Sequence, residues 1–188
     1  MVLFYFSGHG VQHNGDNFLL GIDAGNIIQN NVNDRALNAQ QLIQSIARTD
    51  PYMIIFILDC CRNYSNTTYP YNSSRGFRCG LAAMQIPKTR STNTNPASSV
   101  KTVIAFSCAE NEEAGDESRH GPYGTYTYHL IPHILRKDTD VVKILEDVAE
   151  AVKRDTNSGQ KPYVHANFKD AVMLSSSHAT SPSYNVRI

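Results

Sequence analysis

The stretch Ile54-Ile55-Phe56-Ile57-Leu58-Asp59-Cys60-Cys61-Arg62-Asn63 decides how the chain is read. Five apolar residues run without a break into an acid and two thiols. An apolar run of this length, bounded by polar turn residues, has the pattern of a strand buried on both faces. In open α/β sheets, ligands bind just beyond the carboxyl ends of such strands. A thiol at that point sits where a nucleophile is useful.

A second strand ends in the same manner. Val2-Leu3-Phe4-Tyr5-Phe6 is apolar and aromatic, and Ser7-Gly8-His9-Gly10 interrupts it. Between the two strands, Asn14-Gly15 is a hairpin turn signal, and Asn17–Asp23 reads as a short return strand. Residues 24–35 read as an Asn-rich loop. Asn38, with Gln41 three residues on, is a helix N-cap signal. Ala39, Leu42, Ile43, Ile46 and Ala47 form a helical stripe that Asp50-Pro51 ends. Strand, helix, strand is the unit that makes two strands parallel neighbours. His9 and the thiols would then emerge at one edge of the sheet. A thiol beside an imidazole is the minimum equipment for covalent catalysis, because histidine takes the proton and leaves a thiolate.

These residues resemble a known family. A cysteine followed by arginine, with a histidine about 50 residues upstream, is the spacing of caspases. Ser7-Gly8-His9-Gly10 with Asp59-Cys60-Cys61-Arg62 is more similar to the paracaspases and bacterial orthocaspases than to animal caspases. Metacaspases share Ser-Gly-His-Gly but follow the cysteine with His-Ser-Gly, where this chain has Arg62-Asn63-Tyr64. The resemblance continues in family order through Ala105-Phe106-Ser107-Cys108-Ala109, Gly124–Leu130 and Gly159-Gln160-Lys161-Pro162. It implies an α/β fold, the caspase-hemoglobinase-like three-layer sandwich with a mostly parallel sheet. It also implies two strands and two helices before the histidine strand. The chain is therefore expected to be N-terminally truncated, a fragment or an incomplete gene product, with an unpaired sheet edge or apolar face.

The resemblance assigns roles. His9 is the general base. Adjacent strand residues point to opposite faces, so only one of the paired thiols shares the face of His9; the family pattern makes Cys61 the nucleophile and packs Cys60 behind the sheet. Gly10 has no side chain to block its amide, so its N–H and that of Cys61 form an expected oxyanion hole. Asp59 has the parity of Cys61. At a strand end such an acid caps a helix or pairs with Arg62; in paracaspase-like enzymes the matching acid lines the primary specificity pocket and selects Arg or Lys. The acidic loop after Cys108 would supply a second carboxylate, Glu112 first and Glu113 as the alternative. The competing reading of that loop is a solvated charge run.

Composition narrows the rest. The 188 residues have the length of one domain with a real core, at 41 % hydrophobic and 18 % charged. Basic and acidic residues balance at 17 each, which argues against nucleic acid or an acidic membrane as partner. No apolar run approaches the ~18 residues of a membrane span, and the start lacks the basic region of a signal peptide. Cys60, Cys61, Cys79 and Cys108 fit no metal spacing and read as reduced thiols of a cytoplasmic protein. No cofactor or metal is implied.

The peptidase domain is expected over residues 1–174, followed by a tail at 175–188. Residues 62–101 are polar, and about 85–101 read as an insertion; the resemblance implies a processing linker in this interval, with Lys88 and Arg90 as self-cleavage positions, and the competing reading is an unselected flexible loop. Thr102–Ser107 reads as a third buried strand. Residues 124–136 read as a helix containing Pro132. A cleaner helix follows the cap at 138–140, with Val141, Ile144, Leu145, Val148 and Val152 on one face. One or two short strands lie within Tyr163–Leu174.

The expected function is a cysteine endopeptidase cutting after Arg or Lys, its substrate a protein or peptide with such a basic residue before the cleaved bond; a homodimer is left open. The alternative is an inactive pseudo-protease used as a binding scaffold. A weaker third reading is a redox module on Cys60-Cys61, which would need a strained disulfide.

Overall fold

Strand β4 (Met53–Cys61) is the axis of the fold. The structure is a computed structural model, and it describes residues 1–22, 31–61, 77–78, 81–88, 99–110 and 121–177, with Cys61, Phe77 and Arg78 described by backbone alone. Met53 to Leu58 have no exposed surface. Their alternation splits the interior in two. Ile54, Phe56, Leu58 and Cys60 pack beneath helix α2 (Ala39–Arg48), against Ala39, Ile43 and Ala47. Met53, Ile55 and Ile57 face helices α3 (Thr125–Ile134) and α4 (Val141–Asp155), against Tyr126, Leu130, Val141, Leu145, Val148 and Val152. Each of these large side chains contributes about 1.5–3 kcal/mol by leaving water. The result is the expected α/β sandwich, helices on both faces of one sheet.

Among the described residues the sheet also contains β1 (Val2–His13), β2 (Asp16–Leu20), β3 (Ala36–Asn38), β5 (Phe77–Arg78), β6 (Lys101–Phe106) and β7 (Tyr163–Ala166). The spatial order is β3-β2-β1-β4-β6-β7, with β5 against β1. Its centre is parallel: β1 pairs β4 from Val2↔Ile54 to His9↔Cys61, and β4 pairs β6 from Met53↔Lys101 to Leu58↔Phe106. The flanking ladders are antiparallel. In-register ring pairs tie β1 to β4 and β6 to β7, Phe4 on Phe56 and Phe106 on Tyr163, each with centroids 4.6 Å apart.

The local signals act as their chemistry requires. Asn14 and Gly15 both have positive φ, at 52° and 88°, and close the two-residue hairpin His13↔Asp16. Asn38 accepts the Gln41 amide at 3.0 Å and caps α2. The Asn-rich region differs from the expected loop at its end: helix α1 (Val32–Arg35) lies there, with Val32 fully buried, and β3 follows directly and pairs with β2. The return strand is shorter than read, ending at Leu20, and Asp23 lies outside the described residues.

Two amide side chains hold the irregular segment 81–88. Asn17 exchanges two hydrogen bonds with the backbone of Ala82, at 2.8 and 2.7 Å. Gln40 does the same with Gln85, both at 2.9 Å. Leu81 and Met84 thereby close the core under α2. Of the expected insertion, residues 89–98 lie outside the described residues, Arg90 among them; Lys88 is exposed.

Strand β1 changes neighbours along its length. Gly10 to His13 pair with β2, whereas Val2 to His9 pair only with β4 among the described residues. Leu3 and Tyr5 on that half are 46 % and 38 % exposed. No helix among the described residues is long and apolar enough to cross a membrane.

Asp140 joins α4 to the C-terminal segment. It caps α4 through the Lys143 amide at 3.2 Å and accepts the Val172 amide at 2.7 Å. Further along, Ser175 and Ser177, at the head of the expected tail, bond to Asp138. Asp140→Ala should therefore lose a cap and orphan a second amide, about 2 kcal/mol together. Urea unfolding should report that loss, with Asp140→Asn recovering part of it; a change below about 0.5 kcal/mol would contradict the double role.

Candidate active site

The carboxyl ends of β1 and β4 meet at one edge of the sheet. Tyr5, Ser7 and His9 lie on the exposed side of β1, and Phe4, Phe6 and Gly8 on the side toward α2. His9 is exposed, and its Cα is in register with that of Cys61. Residues in register on parallel strands share a face. Cys60 is 1 % exposed, within the core beneath α2. The side chain of Cys61 lies outside the described residues, as do Arg62, Cys79, Glu112 and Glu113.

Gly10 has a packing reason to lack a side chain. A Cβ there would lie 3.0 Å from Leu81 Cδ2 and 3.2 Å from Cys60 Sγ. The strand passes so close to the buried thiol that even a methyl would displace it.

Asp59 is the most constrained group at this edge. It is 3 % exposed, and its carboxylate accepts hydrogen bonds from the Thr127 hydroxyl, the Thr127 amide and the Ser107 hydroxyl. Thr127 is the third residue of α3, whose N-cap, Gly124, has no side chain to accept that amide. Asp59 therefore caps α3 from another element, with its negative charge at the positive end of the helix dipole. The helix-capping alternative read from the sequence is thus realised, and α3 is the helix. Burial pushes the Asp59 carboxyl up from its ordinary pKa, while the Thr127 and Ser107 donors pull it down without cancelling the effect.

The surroundings of Asp59 were not legible as a site in advance. Tyr5 Oη lies 2.5 Å from Thr127 Oγ1. Tyr126, 1 % exposed, has its phenol pushed strongly up by burial, and further by the nearby charge of Asp59 and by Tyr5. Its hydroxyl has no hydrogen-bond partner among the described residues. Ser107 is fixed from behind: its amide bonds to Leu58 O at 2.9 Å, and its carbonyl accepts the buried Gln160 side chain at 2.7 Å. The Gly159–Pro162 motif thus buttresses the end of β6. His129 Nε2 meets Asp155 Oδ2 at 2.9 Å and ties α3 to α4. The one advance signal for this cluster was a glycine at a helix start with threonine three residues on, a cap position with no acceptor of its own.

A family profile described as the caspase domain of the C14 peptidases matches residues 1–176. A search of curated proteins finds no match to the chain.

The buried carboxyl has a pH signature of definite sign. Its folded-state pKa lies above the ordinary 3.8, so the native state keeps a proton that the unfolded chain has already released. The stability contributed by Asp59 is then highest at low pH and is lost as pH rises through that interval. Denaturant titrations of wild type and Asp59→Asn should give a difference, wild type minus variant, that falls from about pH 4 upward; a difference that grows with pH would overturn the assignment.

The orphaned Tyr126 hydroxyl generates its own expectation. Tyr126→Phe should leave thermal stability unchanged or raise it by up to about 1 kcal/mol, because no hydrogen bond is lost. A loss above about 1 kcal/mol in calorimetry would reveal a partner for the hydroxyl.

Proposed function

Because the chain belongs to the caspase-domain family of C14 peptidases, we propose that it is a cysteine endopeptidase with His9 and Cys61 as its catalytic dyad. The observation that carries this reading is the register His9↔Cys61 at the carboxyl ends of two parallel strands. His9 takes the thiol proton and the thiolate attacks the scissile carbonyl carbon. The amides of Gly10 and Cys61 hold the oxyanion of the tetrahedral intermediate. That intermediate collapses as His9 gives the proton to the leaving amine. Water, deprotonated by His9, then hydrolyses the acyl-enzyme and restores the thiol.

The proposed substrate is a protein or peptide with Arg or Lys before the cleaved bond, as in paracaspases. Asp59 is the acid that receives the basic group, with Glu112, or alternatively Glu113, as a second carboxylate. The support for Asp59 is its position two residues before Cys61, at the same strand end. The proposed setting is reducing and cytoplasmic, where a thiol nucleophile stays reduced.

The scaffold alternative draws on the open half of β1, whose outer edge is unpaired among the described residues. An inactive family member would use such an edge for strand addition.

Hydrolysis of Arg and Lys reporter peptides, together with mapping of an alkylating probe, tests the proposal. Cys61→Ala and His9→Ala should each lower kcat/KM by at least about a thousandfold, with no further loss in the double variant. Cys60→Ala should keep most of the activity. Asp59→Ala should lower turnover of basic substrates. Labelling at Cys60 with Cys61 inert, or preferred cutting after Asp, would sink the assignment; a folded chain inert toward both reporters and probe would favour the scaffold.

A further inference from the structure

The hydroxyl of Thr127 stands between two groups from two different strands. It donates to Asp59 of β4 and lies 2.5 Å from the phenol of Tyr5 on β1. A threonine hydroxyl has one proton. With that proton given to the carboxylate, the phenol must be the donor to Thr127 Oγ1. The chain runs one way: Tyr5 O–H to Thr127 O–H to Asp59. Each bond polarises the next and strengthens it.

Capping α3 requires only the Thr127 amide. The hydroxyl relay reaching out to a phenol that is 38 % exposed adds nothing to that cap. It does orient the carboxylate, because the Thr127 hydroxyl that the phenol engages is the one that holds Asp59 Oδ2.

We propose that Tyr5, acting through Thr127, is a positioning residue that orients the Asp59 carboxylate for the basic side chain of a substrate. This rests on Asp59 being the specificity acid. The groups facing Asp59 are Tyr5 from β1, Ser107 beyond β6, and Tyr126 and Thr127 from α3; Cys61 follows Asp59 by two positions on β4, and its register partner His9 follows Tyr5 by four on β1.

The test uses the full chain with Tyr5→Phe, Thr127→Val and Thr127→Ser. Asp59 is followed by carboxyl-carbon NMR across pH, and KM and kcat are measured on matched Arg and Lys reporters. Removing a donor from a carboxylate raises its pKa. The Asp59 midpoint should therefore move up in Tyr5→Phe, further in Thr127→Val, and return toward wild type in Thr127→Ser. KM for both reporters should rise by about tenfold in Thr127→Val, more than kcat falls, and the acid limb of kcat/KM should shift to higher pH. An unmoved Asp59 midpoint in Tyr5→Phe overturns the proposal. So does a loss confined to kcat, or to folding stability, with KM unchanged. If the wild type cuts neither reporter and Cys61 resists the probe, the peptidase reading fails separately. The NMR midpoints then still decide whether Tyr5 and Thr127 govern Asp59.

Discussion

Burial of β4 on both faces is the constraint on which the other features depend. A strand with helices above and below has no solvent side, so each residue must suit one apolar layer or the other. Ile54, Phe56, Leu58 and Cys60 suit α2; Met53, Ile55 and Ile57 suit α3 and α4. The alternation continues past the apolar run. Asp59 arrives on the α3 face because of its parity, and it arrives where α3 begins. An unfilled helix cap meets it there. The same parity takes Cys60 into the apolar layer under α2. The polar edge is thus a consequence of the apolar centre.

Asp59 illustrates a balance of opposed terms. A buried carboxylate loses solvation worth several kcal/mol, and three donors with a helix dipole return part of it. The carboxyl still sits above its ordinary pKa, so desolvation wins. The arrangement is costly as structure alone: α3 could be capped by a serine or aspartate at position 124 for about the usual 1 kcal/mol. A glycine there, with the acceptor supplied from β4, couples the start of α3 to the strand end that bears the thiols.

Much of this architecture was legible in the residues. The parallel β1–β4 pair followed from the strand-helix-strand order, the α2 cap from Asn38, and the α4 cap from the run 138–140, within which Asp140 is the residue that caps. The hairpin followed from Asn14-Gly15. These are local signals, each resolved within a few residues. What escaped was assembled from distant segments. The Tyr5–Thr127 contact spans 122 positions, and no periodicity reports it. Helix α1 and β3 were missed because a run of asparagines hides one buried valine and a three-residue edge strand. Asp59 was read both as a cap and as a specificity acid, and sequence has no means to name the helix an acid will cap. The register of His9 with Cys61 was the reachable part of the site; the support around it was not.

The amide clasps on segment 81–88 have a consequence for how this region tolerates change. Asn17 and Gln40 recognise the N–H and C=O of Ala82 and Gln85, groups that every residue but proline carries. The side chains at 82 and 85 take no part in those bonds, so the bonds fix neither identity; they bar only proline, and half-buried Ala82 is limited by size while exposed Gln85 is not. Divergence should therefore be widest at Gln85, while Asn17 and Gln40, far away in the chain, stay fixed. A lineage comparison would see conserved amides with no conserved residue opposite them, the mark of a backbone being read instead of a side chain.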